Sequence, residues 1–386
     1  MTTKVVLGLP YLSKGPLLDK AIALQAPVLV SANAFSRWID EGAAPKGTEY
    51  SRAQWAEHRA RGNTGPLEHG RKGRMRRWGG WNLNSLANAH ALPELWLDSA
   101  GFSMMSTEGN YPWSPENYIF GLCTKFPFTR FASLDYCVEA EIAHDNNQVQ
   151  ERISRTIALN YTCQMLANDA GIGDRLMPVI QGSNVDDYLR CFDAIEPMVG
   201  DERVIGVGSM CRRKTAGPDG IVAIVEALHA RLPAGVQLHL FGLKSDGAEA
   251  VAELDGRVYS VDSQAYGVRA RKLANERRRD DPSFSKTNAF VSEVMEAWYR
   301  GQVARMAAPN PKPLQPQLTL PAAPGQPKSE IDAHIDRAYA IARRMIEDGD
   351  MDPTEPVSHH TIYAIMSDEI NDCDADDSEP FALMAA

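Results

Sequence analysis

Short apolar runs rich in β-branched residues alternate with longer amphipathic segments along the first 300 residues. Eight such runs predict strands, at 5–9, 27–31, 95–98, 128–135, 176–181, 203–208, 237–242 and 258–262. Helical periodicity appears at 16–24, 114–123, 141–167, 185–198, 219–230, 248–254 and 264–275. This alternation predicts an α/β fold with a parallel sheet, and eight strands suit a closed (β/α)8 TIM-type barrel. A doubly wound open sheet is the alternative.

The chain divides into three predicted parts after its compositional changes. A further helix at 289–307 completes the barrel region, which we place at 1–307. Residues 308–328 are rich in proline and predict an extended linker. Residues 329–386 begin with an amphipathic segment and end in an acidic tail, which predicts a C-terminal helical extension.

Polar side chains follow four of the predicted strands. They are Asp98, Asp135, Gln181 and Asp262, and two other strands end in Gly208 and Gly242. Because the carboxyl ends of parallel strands point the same way, a barrel would bring all of them to one rim, where barrel enzymes hold their active sites. Each aspartate could instead only cap the helix that follows it.

The segment at about 35–92 is too long for a simple connection after the second strand. It carries a cluster of cations, namely Arg52, Arg59, Arg61, Arg71, Lys72, Arg74, Arg76 and Arg77, interleaved with Trp55, Trp78 and Trp81. We expect a loop with one short helix, whose cations and aromatics suit phosphate contacts and base stacking. A solvated charged excursion is the alternative.

The net charge of −10 is unevenly distributed. Twelve of the 50 acids, and no Lys or Arg, lie after Arg344, so the preceding part carries 40 basic and 38 acidic residues. A nearly neutral body with local basic patches is compatible with a nucleic-acid partner. The six cysteines show no zinc-ligand spacing, which favours structural thiols.

The sequence gives no indication of a membrane segment. Its apolar runs are shorter than the roughly 20 residues that cross a bilayer, and the first residues lack a signal-peptide pattern. We expect a cytoplasmic protein that does not act at a membrane.

Two carboxylates on one rim suit glycosidic-bond chemistry. One can attack C1′ of a sugar while the other protonates the leaving group and later accepts a proton. The pair could serve a carbohydrate hydrolase or a nucleoside-directed transferase.

The motifs around these residues resemble those of the tRNA-guanine transglycosylase (queuine tRNA-ribosyltransferase) superfamily, in order along residues 95–271. The matching segments are LDSAGF, FASLDYC, VIQGS, VIGVGS, LHLFGLKS and VYSVDSQAYGVRAR. They are similar to the family patterns DSGGF/Y, FDEC, VQGG/S, IGGL, YLMGVG and DxFDCVxPTRxAR, respectively. Two departures lie in the first segment, where Ala100 replaces a glycine and Ser103 a glutamine.

The resemblance implies a role for each residue. Asp262 would be the nucleophile and Asp98 the general acid/base. The base would be bound by Phe102, Asp135, Gln181, Gly206, Gly208 and Phe241. Phosphates would be bound by Arg71, Lys72, Arg74, Arg76, Arg77, Arg269 and Arg271.

The chain lacks the CxCxxC zinc motif of family members that act on tRNA, and SQAY replaces CVxP after Asp262. It therefore resembles the DNA-directed, DpdA-like branch more closely. The resemblance implies exchange of guanine in DNA for a 7-deazaguanine such as preQ0, without a metal or other cofactor, in the cytoplasm of a bacterium or a phage-infected host. Exchange in tRNA and a catalytically silent nucleic-acid-binding barrel are the alternatives. Whether a helper protein opens the duplex is left open.

Overall fold

The computed structural model describes residues 3–43, 74–139, 142–243, 245–252, 254 and 256–307. The strands are β1 (Lys4–Leu9), β2 (Val28–Ser31), β3 (Ser36–Ala43), β4 (Arg74–Trp81), β5 (Leu95–Asp98), β6 (Arg130–Ala132), β7 (Leu176–Met177), β8 (Val179–Ile180), β9 (Val204–Val207), β10 (Gln237–Leu240) and β11 (Val258–Ser263). The predicted linker and C-terminal extension lie outside the described residues and stay predictions.

The described part contains nine α-helices, seven between strands and two after the last strand. They are α1 (Pro16–Ala23), α2 (Gly101–Thr107), α3 (Pro115–Gly121), α4 (Asn146–Asp169), α5 (Val185–Val199), α6 (Ile221–Arg231), α7 (Ser245–Ala252), α8 (Ala265–Asp280) and α9 (Asn288–Met306). Short 3-10 segments lie at Ala32–Phe35, Asn84–Ala91, Cys123–Lys125 and Gly173–Arg175. Several helices begin where the sequence offers a capping side chain, as at Ser114, Asn184 and Thr287.

The main sheet is parallel and barrel-shaped, which confirms the predicted fold class. Its strand order is β7-β6-β5-β2-β1-β11-β10-β9-β8. The two outermost strands of this order, β7 and β8, are consecutive in the chain and are separated only by Pro178. They act as two halves of one strand, since β7 pairs with β6 and β8 pairs with β9. The main sheet therefore consists of the eight predicted strand segments. It is barrel-shaped and is not the open doubly wound sheet of the alternative.

Asn160 on α4 stabilises the interruption at Pro178. Its side-chain Nδ2 donates to the carbonyl oxygen of Val179 at 2.8 Å, and its Oδ1 accepts from the Val179 N–H at 2.9 Å. Asn160 is completely buried. The amide thus replaces the sheet partner of both polar groups of Val179, which would otherwise be buried without hydrogen bonds.

The barrel interior and its outer layer follow from the alternation of side chains along each strand. On β1, Val6 belongs to a small inner cluster, which also contains Trp96, while Val5 and Leu7 belong to two larger clusters packed against the helices. The inner cluster fills the barrel interior, and barrels of this kind carry their active sites at the carboxyl rim.

The connection after β2 differs from the sequence prediction. Strands β3 and β4 form an antiparallel pair, where the sequence predicted a loop with one short helix. Trp78 and Trp81 do not project freely for base stacking: their ring centroids lie 5.9 and 4.8 Å from that of the buried Trp113. A tertiary apolar contact thus stabilises a hairpin that local propensity does not predict. Residues 44–73, including Trp55, lie outside the described part.

Two helices follow the last barrel strand. Helix α9 packs against α1, α7 and β1, the position of the last helix of a barrel, and α8 packs against α9. Lys20 of α1 is paired with Glu293 and Glu296 of α9, at 3.1 and 2.5 Å. The C-terminal half of α8 is exposed and rich in arginine. No helix in the described residues is long and apolar enough to cross a membrane.

Candidate active site

Asp98 is the last residue of β5, and its environment favours the protonated carboxyl group. Burial, followed by the nearby charges of Asp135 and Asp262, raises the pKa of Asp98 to about 7. The backbone N–H of Ala100 donates to Asp98 Oδ2 at 3.0 Å and opposes this rise. The structure therefore brings the three predicted rim carboxylates into electrostatic contact, and it gives Asp98 a pKa suited to proton transfer at neutral pH.

The turn after Asp98 depends on an alanine in a left-handed conformation. Ala100 has φ 71° and ψ 21°, a region that glycine adopts more readily, and helix α2 begins at the next residue. This turn directs the Ala100 N–H towards Asp98. The following Gly101 is needed for a different reason, because a Cβ there would lie 2.8 Å from both Oδ1 and the backbone oxygen of Asp135.

Asp262 lies on β11, opposite Val6 of β1 in the sheet register, and is almost fully buried. The backbone N–H of Gly242 donates to Asp262 Oδ1 at 3.0 Å. Gly242 lies in the turn after β10 and has φ 67°, a conformation that glycine adopts readily. A Cβ at this position would lie 2.7 Å from Cβ of Cys211. Strand β10 and the turn after it therefore hold one oxygen of Asp262.

His239, which the sequence analysis did not identify, lies beside the Asp262 carboxylate. Its Nε2 lies 3.3 Å from Asp262 Oδ1, and its Nδ1 lies 2.8 Å from Ser260 Oγ. The ring is completely buried, 5.3 Å from the centroid of Trp96 and 4.5 Å from that of Phe241. The sequence signal was a single polar residue in the apolar run LHLFG, at an inward-facing position.

Asp135 and Gln181 are joined in one buried network. Gln181 Nε2 donates to Asp135 Oδ2 at 2.6 Å, and Ser99 Oγ donates to Asp135 Oδ1 at 2.5 Å. Ser209 Oγ donates to Gln181 Oε1 at 2.7 Å, which fixes the orientation of the amide. Burial raises the pKa of Asp135, while the bonds from Ser99 and Gln181 oppose this rise. The two serines are further residues that the motifs alone did not single out.

The two predicted glycines are required by the side chains beside them. A Cβ on Gly206 would lie 2.5 Å from Cε2 of Phe241, and a Cβ on Gly208 would lie 2.0 Å from Nε2 of Gln181. Both glycines therefore make room for predicted base-binding residues. Phe241 in turn packs against the inner barrel cluster.

Phe102 lies on α2 and is 38% exposed, so its ring is accessible at the rim. The guanidinium carbon of Arg212 lies 4.8 Å from the centre of this ring. Burial raises the pKa of the nearby Glu139 carboxyl, and the charges of Arg212 and Arg213 oppose this. A planar cation thus covers a face of the predicted stacking platform, as a planar base could.

The predicted phosphate-binding cations are not one surface. Arg76 is held by Glu108 at 2.9 Å and lies 3.7 Å from the ring centre of Trp38, whereas Arg77 is exposed. Arg269 and Arg271 are exposed on α8. Partial burial of the Arg269 guanidinium, followed by the charge of Arg305, lowers the pKa of Arg269. Arg74 ends the described part of the hairpin, and Arg71 and Lys72 lie outside the described residues.

The described residues contain no group of three or more His, Cys, Asp or Glu side chains that could hold a metal ion. Chemistry at this rim can be supplied by the side chains themselves: a carboxyl group with a pKa near neutrality, a second carboxylate held by one oxygen, and a buried amide–carboxylate pair with hydrogen-bonding capacity. Such a set can transfer a proton, form a bond to carbon and orient a planar polar ring.

Comparison with known proteins gives one family. The family model described as DpdA, DeoxyPurine in DNA protein A, matches residues 69–303. The matched region contains every strand from β4 to β11 and all the rim residues described above. No curated protein matches the chain at a significant level.

Proposed function

Since the chain belongs to the DpdA family of DNA-directed, tRNA-guanine transglycosylase-like proteins, we propose that it exchanges guanine in DNA for a 7-deazaguanine base such as preQ0. The observation that carries this proposal is the pairing of Asp98 with Asp262 on the carboxyl rim. Burial, followed by the charges of Asp135 and Asp262, raises the pKa of Asp98 to about 7, and Asp262 is held through Oδ1.

The first half of the reaction forms a covalent glycosyl-enzyme. Asp262 Oδ2 attacks C1′ of the target deoxyguanosine, the bond from C1′ to N9 of guanine breaks, and the protonated Asp98 gives its proton to the leaving base. The target nucleoside must leave the helical stack for this attack, which costs a few kcal/mol.

The second half reverses these steps with a different base. N9 of the incoming deazaguanine attacks C1′, its proton passes to Asp98, and the bond from C1′ to Asp262 breaks. The enzyme returns to its starting protonation state. No oxidant, reductant or metal is required by this balance.

The buried network supplies recognition in the proposal. Asp135 would accept from the ring N–H and exocyclic amine of the purine, and Gln181 and the backbone around Gly206–Gly208 would donate to its carbonyl oxygen. Within the described part of the chain each oxygen of Asp135 accepts one hydrogen bond, so capacity for the base remains. Phe102 and Phe241 would contact the base faces.

The DNA surface of the proposal is the arginine-rich side of α8 together with the hairpin. Arg269 and Arg271 lie exposed in the first half of α8, which begins two residues after β11, and Arg77 lies exposed on β4. Such contacts give an affinity that falls as salt rises.

The test is exchange of a labelled base. Purified protein is incubated with labelled preQ0 and one of three substrates: duplex DNA, single-stranded DNA or bulk tRNA. The nucleosides of each substrate are then analysed by mass spectrometry. We expect label in DNA and an adduct that survives denaturation. Asp262→Asn should abolish both and retain DNA binding, because Asn keeps an acceptor for the Gly242 N–H.

The matched control is Asp186→Asn, which alters an exposed aspartate on α5. It should leave exchange unchanged. Label in tRNA alone would reject the DNA assignment, and full exchange by Asp262→Asn would reject the mechanism. A protein without activity on either nucleic acid, also when a cell extract supplies helper proteins, would reject the proposed function.

A further inference from the structure

His239 is a buried histidine whose Nε2 faces the proposed nucleophile without completing a hydrogen bond. The 3.3 Å separation from Asp262 Oδ1 is an ion-pair distance, yet Nε2 has no aligned hydrogen-bond acceptor among the described residues. Leaving a buried polar nitrogen unsatisfied costs roughly 1–3 kcal/mol. A small movement of either side chain would form the bond, as often happens when substrate orders an active site.

The other side of the ring is already fixed. Nδ1 lies 2.8 Å from Ser260 Oγ, and Trp96 and Phe241 pack against the ring. If the Ser260 hydroxyl donates to Nδ1, the neutral ring carries its proton on Nε2, which faces Asp262. In that arrangement the ring can donate from Nε2 to the carboxylate.

The two polar groups beside the Asp262 carboxylate lie next to the same oxygen atom. The Gly242 N–H and His239 Nε2 both approach Oδ1, while no hydrogen bond among the described residues reaches Oδ2. A carboxylate held at one oxygen keeps the other available for bond formation, with its direction fixed.

We propose that His239 is the positioning residue of the nucleophile: its Nε2–H binds Asp262 Oδ1 and holds Oδ2 towards C1′ of the nucleoside. This inference rests on the proposed function of Asp262. His239 transfers no proton in this role. When the bond from Oδ2 to C1′ forms, Oδ1 becomes the carbonyl oxygen of the ester and still accepts the hydrogen bond. When that bond breaks, the same donor stabilises the returning carboxylate charge.

Two amide variants separate the positioning role of His239 from a role in packing. In His239→Gln the amide nitrogen can take the place of Nε2, whereas in His239→Asn it takes the place of Nδ1, next to Ser260. We expect His239→Asn to slow single-turnover adduct formation by about 10- to 100-fold, the loss of one active-site hydrogen bond. His239→Gln should stay within about fivefold of the wild type, and DNA affinity should be unchanged in both.

Equal losses in the two variants, or a loss that appears only in DNA or base affinity, would overturn the proposal. A thermal unfolding measurement on each variant identifies a loss caused by misfolding. Should His239→Gln fail to fold, Ser260→Ala provides the second test. It removes the hydrogen-bond partner of Nδ1 and should slow adduct formation without changing affinity, and an unchanged rate would count against the role.

A measurement without catalysis distinguishes this inference from the proposed function. In protein labelled with ¹⁵N-histidine, the His239 resonances should show the Nε2–H tautomer. They should shift in Asp262→Asn and not in Asp186→Asn. An Nδ1–H tautomer, or His239 resonances that do not shift in Asp262→Asn, would reject the role of His239 even if exchange is observed. Absence of exchange with the expected resonances would reject the proposed function alone.

Discussion

The backbone of Gly208 lies directly against the side-chain amide of Gln181, so that a Cβ on Gly208 would be 2.0 Å from Gln181 Nε2. The same Nε2 donates to Asp135 Oδ2 at 2.6 Å. Because Gln181 is almost completely buried and is held by Ser209 on its other side, it cannot move away freely. The absence of a side chain at Gly208 thus allows Gln181 to stay hydrogen-bonded to Asp135.

Replacing Gly208 with alanine should displace Gln181 and break its bond to Asp135. We expect base affinity to fall by about 10- to 100-fold, since a buried hydrogen bond to a charged group contributes roughly 1.5–3 kcal/mol. Overpacking should also lower the free energy of unfolding by about 1–3 kcal/mol. Binding of labelled base and urea unfolding measure the two effects.

The control for this variant is Gly267→Ala on α8, where a Cβ would meet no atom within 4 Å. It should leave base affinity unchanged and stabilise the helix by about 0.5–1 kcal/mol. If both alanine variants bind the base like the wild type, the close contact at Gly208 does not position Gln181.

The raised pKa of Asp98 predicts that stability falls as pH increases. Between the ordinary value of 3.8 and the folded value of about 7, the folded protein holds a proton that the unfolded chain has lost. The contribution is therefore fully present below pH ~4 and is lost as pH rises through ~7, with a size of at most about 4 kcal/mol. Urea unfolding at a series of pH values measures it.

Asp98→Asn tests this origin. The amide cannot ionise, yet its oxygen can still accept from Ala100, so the variant should be more stable than the wild type above pH ~7 and should depend less on pH. Some dependence should remain, because the pKa of Asp135 is also raised. A variant with the same pH dependence as the wild type would show that Asp98 is not the responsible group.

Neighbouring arginines on β4 should have different roles. Arg76 pairs with Glu108 and stacks on Trp38 with a side chain that is only 18% exposed, whereas Arg77 is exposed. We expect Arg76→Ala to cost roughly 1–3 kcal/mol of unfolding free energy through the lost buried contacts. Arg77→Ala should leave stability unchanged and weaken DNA binding.

The salt dependence of DNA binding distinguishes the two. If Arg77 binds a phosphate, its loss should reduce the slope of log K against log salt by about 1. Arg76→Ala should leave that slope unchanged as long as the protein is folded. The reverse result would assign the phosphate contact to Arg76 and not to Arg77.

The sequence by itself determined the strands of the main sheet, their approximate bounds and the location of the carboxylates. These features depend on local patterns: apolar runs of strand length, helical periodicity and a polar residue where a run ends. Parallel strands then place Asp98, Asp135 and Asp262 at one rim without further information. The motifs around these residues were also sufficient to indicate the family that the comparison confirms.

The tertiary structure decided the contacts between residues that are distant in the chain. The hairpin of β3 and β4 depends on Trp113, and the interruption at Pro178 depends on Asn160. His239 becomes relevant only when β10 and β11 lie side by side, because only then does its ring face Asp262. Local sequence cannot specify such contacts, since packing, burial and charge act through space between residues tens to hundreds of positions apart.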